Sequence, residues 1–247
     1  MLAYAFKECL HEINEFYFRP CPSYSFSFLK RGGPINNSLF RLYVDAQFTS
    51  PYAMSAFVAL REKSIEFELT AVDLDVCEHR SQSYATLSQT QRVPTLVNGN
   101  FALSESSAIT EYLEEAFPHV AIYPHDIKDR AKARQVQAWL RSDLLPIRQE
   151  RSTLTVFYGV KCGQLSPDAE REACKLFAAA EALLGGHSEY LFGRWSIADV
   201  DLALMLNRLI FNGDPVPAAL VEYASRQWQR PSVQEWVNLH RPPVSTS

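Results

Sequence analysis

Three short stretches carry side chains whose types and spacing could do chemistry. In Thr49-Ser50-Pro51-Tyr52, a preferred N-cap residue stands directly before a proline, which favours the first helical position. Ser50 is therefore expected at the positive end of a helix dipole, just past the carboxyl end of a strand, the edge where open α/β sheets bind ligands. A hydroxyl there could donate a hydrogen bond to an incoming thiolate, each pKa unit of thiol depression corresponding to about 1.4 kcal/mol. It could equally serve only as a helix cap. In Arg92-Val93-Pro94, a bend at the proline (through a cis peptide, for instance) would leave the Val93 N–H and C=O to pair with an extended peptide. The alternative is a proline that merely opens a strand. In Ser104-Glu105-Ser106-Ser107-Ala108-Ile109, helix N-terminal amides could hold a carboxylate while Glu105 takes an ammonium group, or the segment could be simple capping. Together the three describe a site for a short anionic peptide that carries a thiol.

The elements that must position these residues follow from periodicity. Leu39 to Val44 reads as a strand and Pro51 to Lys63 as an apolar helix. Ile65, Phe67 and Leu69 alternate with polar residues as a half-buried strand. Residues 75 to 91 are polar and irregular. Val93 to Val97 and Phe101 to Leu103 read as paired strands around Asn98-Gly99, a type I′ hairpin signal. Ser106 to Phe117 reads as an amphipathic helix. The order β-α-β, crossover, β-β-α predicts a thioredoxin-like domain over residues 39–121. Residues 122–241 read as all-helical: one helix from Arg130 to Arg148, and a nearly all-apolar one from Ile197 to Phe211, started by a capping-box variant at Ser196 and Asp199. Residues 1–38, aromatic-rich and without a sustained period, are expected to form a poorly ordered extension, and 242–247 a tail.

Composition bounds the function. Of the 247 residues, 47% are hydrophobic and 21% charged, the balance of a packed globular protein. A formal charge of −4 with no basic run gives no field for nucleic acid. No apolar run reaches the ~18–20 residues of a membrane span, and the N-terminus has no signal-peptide pattern. The five cysteines are scattered, and no Cys/His cluster suggests a metal; free thiols in a reducing cytoplasm are expected. Asp45 to Tyr52 contains no cysteine, so thiol exchange through the protein is not expected from this loop, and Cys21-Pro22-Ser23-Tyr24 precedes the first strand.

VPTLxxGxFxLSESSAIxEYL resembles the glutathione-site motif of the cytosolic glutathione transferases, FGRWSIADVDLA resembles their helical-domain signature, and the SPY after the first strand is similar to the serine-type, theta-like and bacterial classes. The resemblance covers about residues 39 to 240. It implies a thioredoxin-like domain followed by an all-helical one, with Ser50 stabilising the glutathione thiolate and Val93 holding the cysteinyl main chain. It also implies that Glu105 and Ser106 hold the γ-glutamyl group and that His79 and Arg92 approach the glycyl end. Thr49 and Tyr43 are rivals to Ser50, Tyr43 the stronger in chemistry although it lies within the strand. Trp139, Arg141 and Asp143 lie on the helix expected to line the second-substrate cleft; Trp139 and Asp143 are the candidates there. The implied activity is conjugation of glutathione, a co-substrate, to an electrophile, with peroxidase activity toward organic hydroperoxides. A homodimer without a permanently bound cofactor is implied as well. The alternative is a non-catalytic carrier or assembly protein on the same fold.

Overall fold

The computed structural model describes residues 39–185 and 189–243. The expected extension over residues 1–38, with Cys21-Pro22-Ser23-Tyr24, lies outside them. β1 (Phe40–Asp45) alternates buried Phe40, Leu42 and Val44 with more exposed residues. It is flanked by parallel β2 (Phe67–Val72) and antiparallel β3 (Thr95–Asn98). β4 (Phe101–Ser104) pairs antiparallel with β3, giving the sheet order β2-β1-β3-β4. The hairpin differs in detail from the type I′ expectation. Asn98 pairs with Phe101, so Gly99 and Asn100 form the loop, and only Gly99 takes a positive φ (59°). Positive φ at the first central position alone belongs to a type II′ turn, which a glycine there permits.

α1 (Pro51–Glu62) is buried at every position from Ala53 to Leu60, because the sheet covers one side and the helical domain the other. Residues 75–91 are more regular than their polarity suggested. They hold a 3-10 turn at Glu78–Arg80 and the short α2 (Gln82–Leu87), capped by the Ser81 hydroxyl. α3 (Ser106–Ala116) closes the domain over the sheet, with Ile109 and Leu113 inward.

The second domain is helical. The single helix expected from Arg130 to Arg148 is two: α4 (Ile127–Ser142) and α5 (Leu145–Glu150), separated at Leu144, whose φ of 59° is left-handed. Pro146 supplies no amide to continue α4, and it favours the first turn of a new helix. α6 (Thr153–Tyr158) and α7 (Pro167–Leu184) lead to α8 (Ile197–Asn212), buried from Ile197 through Leu209 except at Asp201. At its start the Asp199 carboxylate accepts from the Ser196 N–H (2.8 Å) and hydroxyl (2.9 Å), and from the Tyr223 hydroxyl (2.9 Å). α9 (Ala218–Trp228) and α10 (Pro231–Val237) complete the bundle.

Polar and aromatic contacts lock the two domains together. Buried Lys63 donates to Glu114 (2.9 Å) and to the carbonyls of Phe117 (2.9 Å) and Val120 (2.6 Å), fixing the linker that follows α3. Arg230 grips Glu62 through two bonds of 2.6 and 2.7 Å, and Trp236 of α10 packs edge-on against Phe57 of α1. Among the described residues no helix is long and apolar enough to cross a membrane.

Candidate functional site

The loop after β1 is built around one buried carboxylate. Asp45, only 2% exposed, accepts through Oδ2 from the Thr49 N–H (2.6 Å) and hydroxyl (3.0 Å). Both of its oxygens also accept from the Ser50 N–H, at 3.1 and 3.2 Å. Phe48, in the same loop, has a φ of 50°, and its carbonyl accepts from Arg241 Nη2 (3.1 Å). That guanidinium also donates to the carbonyls of Trp236, Val237 and Leu239 and lies over the Phe157 ring. Strand end and chain tail thus hold the loop from opposite sides.

Ser50 caps α1: its Oγ accepts from the Ala53 N–H at 3.2 Å, its one hydrogen bond among the described residues. A hydroxyl has two acceptor lone pairs and one proton, so capping leaves the proton free to donate. The two readings of Ser50 therefore use different parts of one group and do not compete.

Ser50 opens onto a cavity of about 1040 Å³, whose wall also includes His79, Arg92, Val93, Glu105 and Ser106. This volume sits at the upper end of the roughly 300–1,000 Å³ typical of small-molecule sites, room for a tripeptide and a second small molecule. The Val93–Pro94 peptide is cis, and no hydrogen bond within the described residues engages the Val93 main chain. Behind it the Tyr84 hydroxyl donates to the Arg92 carbonyl (3.0 Å) and lies 3.1 Å from Thr95 Oγ1, and burial pushes the Tyr84 pKa up. Glu105 stands exposed at the N-terminus of α3 with φ 73° and ψ 114°, a conformation strained for any residue with a Cβ. Ser106, buried, is the first residue of that helix. His79 presents a buried Nδ1 without a hydrogen-bond partner among the described residues.

Trp139 and Asp143, the candidates for the second-substrate cleft, do not line this cavity. The Trp139 Nε1–H donates to Asp143 (2.9 Å), and Lys175 of α7 reaches the same carboxylate at 2.5 Å. Lys175 first, then the Leu144 amide and Trp139, holds the Asp143 pKa down at about 2. The reason is helical geometry: residues two apart point to nearly opposite faces, so Arg141, between them, faces the cavity and they face α7. Tyr43, the rival to Ser50, is likewise absent from the wall and packs edge-on against Tyr84 at 5.9 Å. Sequence reasoning missed Asp45 as the loop's anchor, and Tyr52 and Tyr158 as wall residues. An acidic residue at a strand's end, four and five residues before polar loop positions, was the available signal for the first. Tyr158 had none, because a separate helix brings it in.

Residues 48–121 match the family model for the glutathione S-transferase N-terminal domain, and residues 126–241 match that for the C-terminal domain. A glutathione transferase homolog from Burkholderia gl BGR1, solved with bound glutathione, is 45% identical with a TM-score of 0.67, covering 81% of this chain and 97% of that one. A zeta class glutathione S-transferase of Euphorbia esula is 32% identical over 169 residues, 66% of this chain and 70% of the relative. A maleylacetoacetate isomerase of Pseudomonas aeruginosa is 32% identical over 171 residues, 67% of this chain and 79% of the relative. With a thioredoxin-like sheet ahead of a helical bundle, and each half matching the corresponding family model, the chain belongs to the glutathione S-transferase family.

Proposed function

We propose that the protein is an enzyme that binds glutathione in the large cavity, lowers the pKa of its thiol, and directs the thiolate at an electrophilic carbon of a second substrate. The observation that carries this reading is Ser50, a hydroxyl whose acceptor caps α1 and whose proton is free at the cavity wall. The thiol proton leaves to solvent, and the sulfur then accepts from the Ser50 hydroxyl at the positive end of α1. The rest of the wall suits the rest of the tripeptide. The α3 amides and Ser106 would take the γ-glutamyl carboxylate and Glu105 its ammonium group. The Val93 main chain would pair with the cysteinyl residue as an added strand does, and Arg92 and His79 would meet the glycyl carboxylate. With an aryl halide, the new C–S bond forms as halide departs with its electron pair. With an organic hydroperoxide, the thiolate attacks the terminal peroxide oxygen, the O–O bond breaks, and the alkoxide leaves as alcohol after taking a proton. A second glutathione thiol then displaces water from the resulting sulfenic acid to form the disulfide. We place the enzyme in the cytoplasm as a homodimer, a setting that suits the exposed free thiols of Cys77, Cys162 and Cys174.

The test is glutathione consumption with an aryl halide and cumene hydroperoxide in parallel, for wild type and Ser50→Ala, across pH. A charge-assisted hydrogen bond lost from the thiolate is expected to lower kcat/KM by about 10- to 100-fold and to raise the apparent thiol pKa by about 1 to 2 units. The faster wild-type substrate separates conjugation from peroxide reduction. Unchanged kinetics in the variant would remove Ser50 from the mechanism. Glutathione binding without turnover of either substrate would support a carrier instead.

A further inference from the structure

Beside the large cavity lies a second, much smaller one of about 30 Å³, enough for a water molecule or a single carboxylate oxygen. The two share Pro51, Tyr52 and Arg141; Arg148 and Arg208 line only the inner one. Three arginines therefore line the small cavity beside Tyr52, with one carboxylate residue, Asp201. Asp201 accepts from Gln137 (2.7 Å) and forms a long ion pair with Arg141 (3.6 Å), which leaves Arg148 and Arg208 without a carboxylate there among the described residues.

Among the described residues these cations are under-satisfied. Arg208 is 5% exposed, and Nη1 donates to the Arg151 carbonyl (2.7 Å), but its buried Nε has no hydrogen-bond partner. Arg141 Nη2 is buried and equally without one. Among the described residues Arg148 donates only to the Asp143 carbonyl (3.2 Å). The nearby Asp214 is taken by Arg151, through bonds of 2.6 and 2.7 Å. Burial and the Arg148 charge both lower the Arg208 pKa, to about 10, the strain expected of a cation that lacks its counter-charge. Buried charges in folded proteins are ordinarily paired, so an unpaired guanidinium facing a void that adjoins a ligand cavity points to an anion brought by the ligand.

We propose that Arg141, Arg148 and Arg208 form an anion-binding subsite for the second substrate, so that the preferred electrophile carries a carboxylate that docks behind Tyr52. Arg141, at the junction of the two cavities, meets the carboxylate first, and its planar fork can take both oxygens. Arg148 and Arg208 supply positive potential from within. This inference rests on the proposed glutathione-binding reading and adds to it the charge of the partner molecule.

Calorimetric titration with glutathione, S-benzylglutathione and S-(4-carboxybenzyl)glutathione tests it without requiring turnover. The carboxylate conjugate is expected to bind at least about tenfold more tightly than the neutral one, a difference of about 1.4 kcal/mol. That preference is expected to shrink toward unity in Arg148→Gln and Arg141→Gln. Arg208→Gln is a third variant, used only where its circular dichroism melt shows a folded protein. Equal or weaker binding of the carboxylate conjugate, with glutathione and S-benzylglutathione still bound, overturns the subsite alone, as does a preference that survives both variants. Failure of glutathione itself to bind overturns the reading beneath it.

Discussion

A serine that caps a helix is usually left out of chemistry because its oxygen is occupied. At Ser50 the Ala53 amide takes a lone pair, while a thiolate needs the proton, so capping orients the group for the second task. Asp45 performs the equivalent service for the loop. Replacing it with alanine would leave the Thr49 and Ser50 amides without their buried acceptor, at a cost of about 1–3 kcal/mol for each unsatisfied donor. Asp45→Ala is therefore expected to lower the thermal midpoint and to cut kcat/KM more than its loss of stability accounts for, measured by calorimetry and steady-state assay. Asp143 offers a cleaner electrostatic check. Its folded pKa is held at about 2, below the unfolded value, so the stability that it contributes is present above the unfolded pKa of about 3.9 and is lost as pH falls through about 2. Carboxyl NMR is expected to show Asp143 titrating far below a normal aspartate, and Lys175→Met is expected to move it up.

At the scale of elements, the junction of β4 and α3 sets two demands against each other at one residue. Glu105 holds a backbone conformation that suits glycine, and it presents a carboxylate at the cavity. Glu105→Gly is expected to relieve about 1–2 kcal/mol of strain while weakening glutathione binding, so that the thermal midpoint and Kd both rise. A midpoint that falls while Kd rises would show that the conformation carries no strain. This junction was legible in the sequence as a place where a strand passes into a helix, and so were β1, β3, β4, α1 and α8, each announced by an apolar period or a cap. The break at Leu144 was not, because Val136, Leu140, Leu144 and Ile147 keep a helical period across it. Only the choice between continuing α4 and starting α5 at Leu145 decides the matter, and packing makes that choice. The sequence placed Trp139, Arg141 and Asp143 on one helix without showing which of its faces meets the cavity, whose wall includes Arg141 and not the other two. Arg208 was hidden for a different reason: inside IADVDLALMLNRLIF a lone arginine reads as an interruption of a core helix, and only the neighbouring helices show what it faces.

Across the whole molecule, the helical domain is fastened to the sheet by buried charge as well as by apolar contact. The Lys63–Glu114 pair is nearly inaccessible, and Glu114 also accepts from the Ile122 amide (3.0 Å), so the pair clamps the passage from one domain to the next. Lys63→Met, which leaves Glu114 buried without its cation, is expected to cost about 3–5 kcal/mol in chemical denaturation. The double variant Lys63→Met with Glu114→Gln is expected to recover part of that loss, because both charges are then gone.

The Arg241 guanidinium, which joins the carbonyl of Phe48 to those of Trp236, Val237 and Leu239, makes the segment after α10 a working part of the first functional loop. Tyr158 of the cavity wall donates to the Pro242 carbonyl from the same side (2.8 Å). For anyone who expresses or trims this protein, residues 239–242 are then closer to a hinge pin than to a spare end. A deletion from Leu239, or a bulky tag placed immediately after Pro242, would release the Ser50 loop while the bundle stayed folded, and a sample could pass every test of structural integrity with its chemistry already gone.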